Sequence, residues 1–170
     1  MIVDKTSFRT STVADYLAIA HVHKRAFSRE TEGELALALL NDLACETHDL
    51  VAELDAAIIG HVLLSQTAVG PDRSLVLGPL AVDPSWRDFQ IGTELVRRVL
   101  ADARIVGWKS VFVLGEPDYY RRFGFKHSLA ENIKCAYNLG TAFQALELET
   151  GCLKGTSCVL EYPAAFHTTD

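Results

Sequence analysis

The stretch Leu80–Gly92, reading LAVDPSWRDFQIG, limits the fold of this chain more than any other segment. An apolar run, Leu75–Val82, stops at Asp83-Pro84, and a short loop then carries Arg87. Beyond the loop Ile91, Leu95, Val96, Val99, Leu100 and Ala103 recur at helical spacing as far as Gly107. The pattern predicts a strand, a loop and a helix. A loop that feeds a helix N-terminus presents unpaired N–H groups and the positive end of the helix dipole. Such a place binds phosphate groups. Gly92 has no Cβ and lets a ligand approach the backbone. Arg87 adds a permanent positive charge with a fork of donors.

These residues also carry a resemblance. Arg87-x-x-Gln90-x-Gly92 resembles the Q/R-x-x-G-x-G/A motif of the GNAT superfamily of N-acetyltransferases. Leu80-Ala81-Val82-x-Pro84 resembles the strand on which that family holds the pantetheine arm of acetyl-CoA. Downstream, Tyr119-Tyr120-Arg121-Arg122-Phe123-Gly124-Phe125 resembles the family's Y-E-K-x-G-F turn, with Val111–Leu114 in the place of its fifth strand. The likeness is specific over Leu75–Phe125, and VLGEPDYYRRFGF resembles one bacterial branch.

The resemblance implies an α/β (α+β) fold: a mixed, mostly antiparallel central sheet with splayed fourth and fifth strands, flanked by helices. It implies acetyl-CoA as cosubstrate and direct acetyl transfer to a primary amine, on a small molecule or a peptide. The cofactor-binding residues would be Leu80, Ala81, Val82, Arg87, Asp88, Gln90, Ile91, Gly92 and Thr93. Two of these depart from the family pattern. Gln90 replaces its middle glycine and Asp88 a position often glycine, so a Cβ and a carboxylate face the phosphate site. Both side chains are expected to turn away, Asp88 as a helix N-cap.

For the chemistry, Tyr120 matches the family tyrosine near the cofactor sulfur, where a phenol can protonate a departing thiolate. Tyr119 is the weaker candidate. The fourth strand, Ser74–Val82, offers no carboxylate or histidine as base, and Val76 stands where some members place a glutamate. Glu116, just past the fifth strand, is the nearest acid; its alternative role is to stabilise a helix dipole. Leu80–Val82 backbone amides would supply an oxyanion site. Arg121 and Arg122 read as a solvated helix face or as partners of a cofactor phosphate. Acids at the turn between the first two helices, Glu32 and Glu34, could attract a cationic amine. The apolar Ala142–Phe166 segment would wall the acceptor pocket or form a homodimer contact. A non-catalytic acyl-CoA-binding or sensing module on the same fold is the alternative reading.

Composition narrows the rest. At 170 residues the chain is read as a single domain, 1–170, with 49% hydrophobic and 22% charged residues. The net charge of −6 argues against nucleic-acid or anionic-membrane partners. No apolar run reaches the roughly 20 residues of a membrane span. No secretory signal is visible, so a cytoplasmic setting is expected. Cys45, Cys135, Cys152 and Cys158 form no C-x-x-C pair and are expected as free thiols, without a metal site. His21-x-His23 lies on a predicted helix, where i and i+2 do not share a face. His61 is expected to pack or to face solvent.

Along the chain the patterns predict a strand at Ser7–Thr10 and a Thr12-x-x-Asp15 capping box. A helix to about Phe27 follows on Val13, Leu17, Ala20 and Lys24, then a helix over Glu30–Glu46 striped by Leu35, Leu39 and Leu43. Strands are predicted at Leu50–Leu54, Ala57–Ser65, Leu75–Val82 and Val111–Leu114, with helices at Asp88–Val106 and Glu116–Phe123. Further strands are predicted from Phe125–His127, at Phe143–Leu148 and at Ser157–Tyr162.

Overall fold

A computed structural model describes residues 1–167. The chain runs α1 (Ile2–Lys5), β1 (Ser7–Arg9), α2 (Tyr16–Phe27), α3 (Thr31–Asn41), β2 (Thr47–Leu54), β3 (Ala57–Gln66) and β4 (Ser74–Val82). It continues through α4 (Ile91–Val106), β5 (Ser110–Leu114), α5 (Pro117–Tyr120), β6 (Ile133–Lys134), β7 (Phe143–Glu147) and β8 (Cys158–Val159). Six strands form one sheet in the order β1-β2-β3-β4-β5-β7. Every pairing in it is antiparallel except β4 with β5. This is the mixed, mostly antiparallel sheet the resemblance implies.

Alternation along the strands divides the core. Leu50, Ala52, Val62, Leu64, Leu75 and Leu77 pack on one face against Leu95, Val96, Val99 and Leu100 of α4. Val51 and Leu63, on the other face, meet Ile19 of α2 and Leu35 and Leu39 of α3. The C-terminal segment extends that second layer, setting Ile133, Leu153, Leu160 and Tyr162 over Val76 and Phe112.

Two irregularities in β4 build the site. Val62 pairs with Leu80 but Leu64 pairs with Leu77, so β4 carries one extra residue, a bulge around Gly78-Pro79. Gly78 has φ +146°, a value that favours glycine. On the other edge, β5 pairs β4 only from Ser74↔Ser110 to Leu77↔Val113. From Gly78 to Val82 β4 is held by β3 alone, and the two parallel strands fork.

Several expectations are corrected. Val13 and Leu17 are 78% and 86% exposed, and α2 buries Ile19, Val22 and His23 instead. The buried stripe escaped notice because a histidine stands in it. The third helix ends at Asn41, leaving Leu43 exposed in the following turn. Helix α4 starts at Ile91 with Gln90 in the N-cap position, so Asp88 does not cap it. Phe125–His127 makes only the bridge Lys126↔Ala145, and His127 opens a single 3-10 turn. The Ser157–Tyr162 stretch yields only Cys158–Val159, paired in parallel with the two-residue β6, and past Leu160 the chain turns to bond Val69 instead. Leu160 N–H reaches Lys134 O (2.8 Å), and Glu161 exchanges bonds with Val69.

Candidate active site

A cavity of about 310 Å³ sits at the α4 N-terminus. Val82, Arg87, Asp88, Gln90, Ile91, Gly92 and Thr93 line it, joined by Trp86, Tyr119 and Arg122. Leu80 and Ala81 do not line it. Leu80 packs on the α4-side core, and Ala81 pairs with His61 of β3 and is buried.

Helix physics explains the cradle. The first bond of the α4 ladder runs from Glu94 N–H to Gln90 O (3.0 Å). Ile91, Gly92 and Thr93 therefore lie ahead of the ladder, with N–H groups free for an anion. A Cβ built on Gly92 would stand 3.2 Å from Tyr119 Oη and 3.3 Å from Val82 Cγ2. The absence of that side chain keeps the floor open. Asp88 and Gln90 have φ +69° and +68°, which explains why glycine suits both positions. Gln90 lines the cavity rather than standing clear of it.

Two arginines tie the loop to α2. Arg87 Nη2 donates to Ala26 O (2.9 Å). Arg25 donates to both Asp83 oxygens, at 2.6 Å and 3.2 Å. That pairing holds the Asp83 carboxyl below the usual carboxylate range. Asp83 Oδ1 also accepts from Ser85 N–H (2.8 Å), so the turn after β4 is fixed from both sides.

Tyr119 and Arg122 are the site residues that sequence reasoning undervalued. Arg122 Nε donates to Tyr119 O (2.8 Å), and its guanidinium carbon stands 4.4 Å from the Tyr119 ring centroid. Their i, i+3 spacing on one short helical turn was the available signal.

The fork supplies the second part. Asp83 N–H donates to Ile59 O (2.8 Å), toward β3. Backbone groups alternate edge to edge along an antiparallel pair, so Leu80 and Val82 direct their N–H groups to the edge that β5 has left. Tyr120 packs its ring on Gly115 and meets Phe125 edge-on at 5.7 Å. Burial, then the neighbouring Tyr119, pushes its phenol above the usual range. Glu116 is the exposed N-cap residue of α5 and accepts the Tyr119 and Tyr120 N–H bonds at its carbonyl (3.1 Å each). It lines neither the anion cavity nor the one described next.

Across the fork, on the α3 side, a cavity of about 280 Å³ opens between Leu77-Gly78-Pro79 and Leu114. Glu32 and Leu35 of α3 and Tyr162 and Phe166 of the C-terminal segment complete its wall. The Ala142–Phe166 segment therefore walls a pocket at the fork.

A buried chain escaped the sequence. Asp49 Oδ2 lies 2.9 Å from His61 Nε2, and His61 Nδ1 lies 2.9 Å from His23 Nε2. With the carboxylate as acceptor, the bonds assign Nε2–H to both rings and leave His23 Nδ1 as an unpaired acceptor. Burial first, then His61, pushes His23 down to about 3. In the unfolded chain its pKa is about 6.5. Below that value the unfolded chain binds a proton that the folded one refuses, so stability falls as pH drops from about 6.5 toward 3. The expected loss at pH 5 is about 2 kcal/mol. Thermal unfolding between pH 7.5 and 5 should show it, with a flatter slope for His23→Gln; equal slopes would discard the assignment.

All four cysteines are free and their thiols are pushed up by burial. Among the described residues no cluster of three or more His, Cys, Asp or Glu could hold a metal ion, and no helix is long and apolar enough to cross a membrane.

The forked sheet with a cavity at the N-terminus of the following helix has counterparts among known proteins. Residues 46–127 match the family model described as an acetyltransferase (GNAT) domain. The uncharacterized N-acetyltransferase YjhQ of Escherichia coli K12 is 30% identical over 131 residues, 74% of this chain and 72% of that one. The crystal structure of the GNAT family N-acetyltransferase YhbS from Escherichia coli, in complex with CoA, superposes with a TM-score of 0.87 at 30% identity, covering 96% of this chain and 92% of that one. A GNAT family acetyltransferase from Brucella melitensis, in complex with acetyl-CoA, gives a TM-score of 0.78 at 30% identity over 95% and 97% of the two chains. The chain belongs to the GNAT family of acetyltransferases. The relatives' names do not favour the alternative of a non-catalytic sensing module.

Proposed function

We propose that this chain transfers the acetyl group of acetyl-CoA directly to a primary amine, with both substrates bound at once. The observation that carries the reading is the cradle at the α4 N-terminus, left open by Gly92 and lined by Val82 at the end of β4, the strand that parts from β5. The CoA and acetyl-CoA complexes of the two structural relatives support the choice of cosubstrate.

In this reading the N–H groups of Ile91, Gly92 and Thr93 hold the pyrophosphate. Arg87 and Arg122 supply positive charge, and Tyr119 closes the floor. Asp88 and Gln90 shape the loop through their backbone, with the Asp88 carboxylate opposing the anion. Leu80, Ala81 and Val82 form the strand edge along the pantetheine, where Leu80 and Val82 N–H groups meet the thioester oxygen. The cosubstrate supplies an acyl group activated by its sulfur. The amine nitrogen forms a bond to the acyl carbon and the carbon–sulfur bond breaks. Tyr120, kept protonated by burial, donates its O–H to the sulfur as the thiolate departs, and solvent returns any proton the phenol gives up. Glu116, exposed at the α5 N-terminus and outside both cavities, takes the proton that the amine must lose by way of solvent. Among the described residues no cysteine lines either the cavity at α4 or the cavity at α3, which supports direct transfer over an acyl-enzyme route.

We read residues 1–170 as one N-acetyltransferase domain. The free cysteines fit a reducing, cytoplasmic compartment. Calorimetric titration with CoA, then thiol release from acetyl-CoA with a panel of primary amines, tests the function. One-to-one binding and amine-dependent thiol release are expected. No CoA binding would overturn the reading.

A further inference from the structure

We propose that the α3-side cavity is built for a small primary amine with one aromatic or compact apolar body, whose ammonium group docks at Glu32. The inference rests on the acetyl-CoA reading above and names the acceptor class for that site.

Three observations carry it. The first is size. About 280 Å³ holds roughly nine water volumes of about 30 Å³ each, at the small end of ligand cavities. The second is the wall. Tyr162 meets Tyr137 at 4.8 Å and Phe166 at 4.9 Å, both edge-on, which leaves ring faces for a flat or branched apolar group. Leu35 and Leu77 close the far side. Burial pushes the Tyr162 phenol up, so it stays neutral.

The third is charge. Glu32 carries the one carboxylate in the wall, and its side chain is only 13% exposed. It is clamped by Arg29, whose own side chain is 66% exposed. Both close contacts from Arg29, by Nε and Nη2, fall on Oε1, whereas Oε2 receives only Nε at 3.1 Å. A carboxylate has about four acceptor positions. Oε2 therefore retains capacity for an ammonium N–H. The aromatic faces add cation–π attraction for the same group. A second ammonium, as in a polyamine, would be buried among tyrosines and leucines with no carboxylate of its own, which is unfavourable. Gly78-Pro79 and Leu114 line the same cavity where β4 and β5 part, so a group held at Glu32 lies beside the fork, and it attacks once the ammonium has released a proton to solvent.

The test uses the full chain with acetyl-CoA and three acceptors: 2-phenylethylamine, spermidine and Nα-acetyllysine amide. We expect kcat/KM for 2-phenylethylamine to exceed each of the others at least tenfold. Glu32→Gln should raise its KM at least tenfold, with kcat within about threefold and CoA affinity by calorimetry unchanged. Leu114→Trp, at a partly exposed position, should fill the cavity and abolish 2-phenylethylamine turnover while CoA still binds. Preference for spermidine or the lysine amide, or an unchanged KM in Glu32→Gln, overturns the proposal. So does CoA binding without 2-phenylethylamine turnover, which leaves the cofactor reading standing. Failure of CoA to bind at all overturns the cofactor reading itself.

Discussion

Replacing Gly92 with leucine is expected to abolish CoA binding without weakening the fold. A Cβ at this position stands 3.2 Å from Tyr119 Oη and 3.3 Å from Val82 Cγ2, so the rest of the side chain must grow into the cradle. There it covers the N–H groups that we propose receive the pyrophosphate. Gly92 has ordinary helical φ and lies in the first turn of α4. Leucine is the better helix former by somewhat under about 1 kcal/mol, which offsets the tight contacts of its Cβ, so thermal stability should change little. A loss of binding without a matching loss of stability separates the two effects. Calorimetry should show at least a hundredfold loss of CoA affinity, about 2.7 kcal/mol. Binding within tenfold of the wild type would mean that the phosphate lies elsewhere.

The second large effect is expected at Tyr120. Among the described residues its hydroxyl has no hydrogen-bond partner, while its ring is held by Gly115 and Phe125. Tyr120→Phe keeps the ring and removes the donor. If the hydroxyl serves the departing sulfur, the loss falls on kcat, by about 10²–10⁴-fold, with CoA affinity unchanged. Tyr119→Phe is the informative companion. Its hydroxyl stands at the anion cavity beside Gly92, so its removal should weaken CoA binding severalfold and leave kcat nearly intact. Equal kcat for wild type and Tyr120→Phe on the best amine would remove the proposed role.

These two adjacent tyrosines show what a sequence can and cannot disclose. The strand–loop–helix around Arg87 and Gly92 was legible because each part is set by neighbours in sequence: an apolar run, a Pro-containing turn, a helical stripe ended by Gly107. The family motif then located the fork. The different surroundings of Tyr119 and Tyr120, whose rings touch edge to face at 5.0 Å, were not legible, because a single irregular turn, α5, decides them. Asp49, His61 and His23 were unreadable for another reason. They lie 12 and 38 residues apart in sequence, and only the packing of α2 on the sheet joins them. The α2 face was misjudged on the same account, since a buried histidine interrupts its apolar stripe. Asp88 failed as a cap because the loop spends two positive-φ residues before the helix begins at Ile91.

The fork has cavities on its two sides, one by α4 and one by α3. Separate doors have a kinetic signature. In the proposed reaction neither substrate needs the other to leave before it enters, and no covalent halfway house is required. Initial rates taken at several fixed amine concentrations should therefore give double-reciprocal lines that intersect. A dead-end analogue of the amine should compete with the amine alone, not with acetyl-CoA. Parallel lines would mean that the acyl group pauses on the protein, and the two doors would then have to be read as a single passage used in turn.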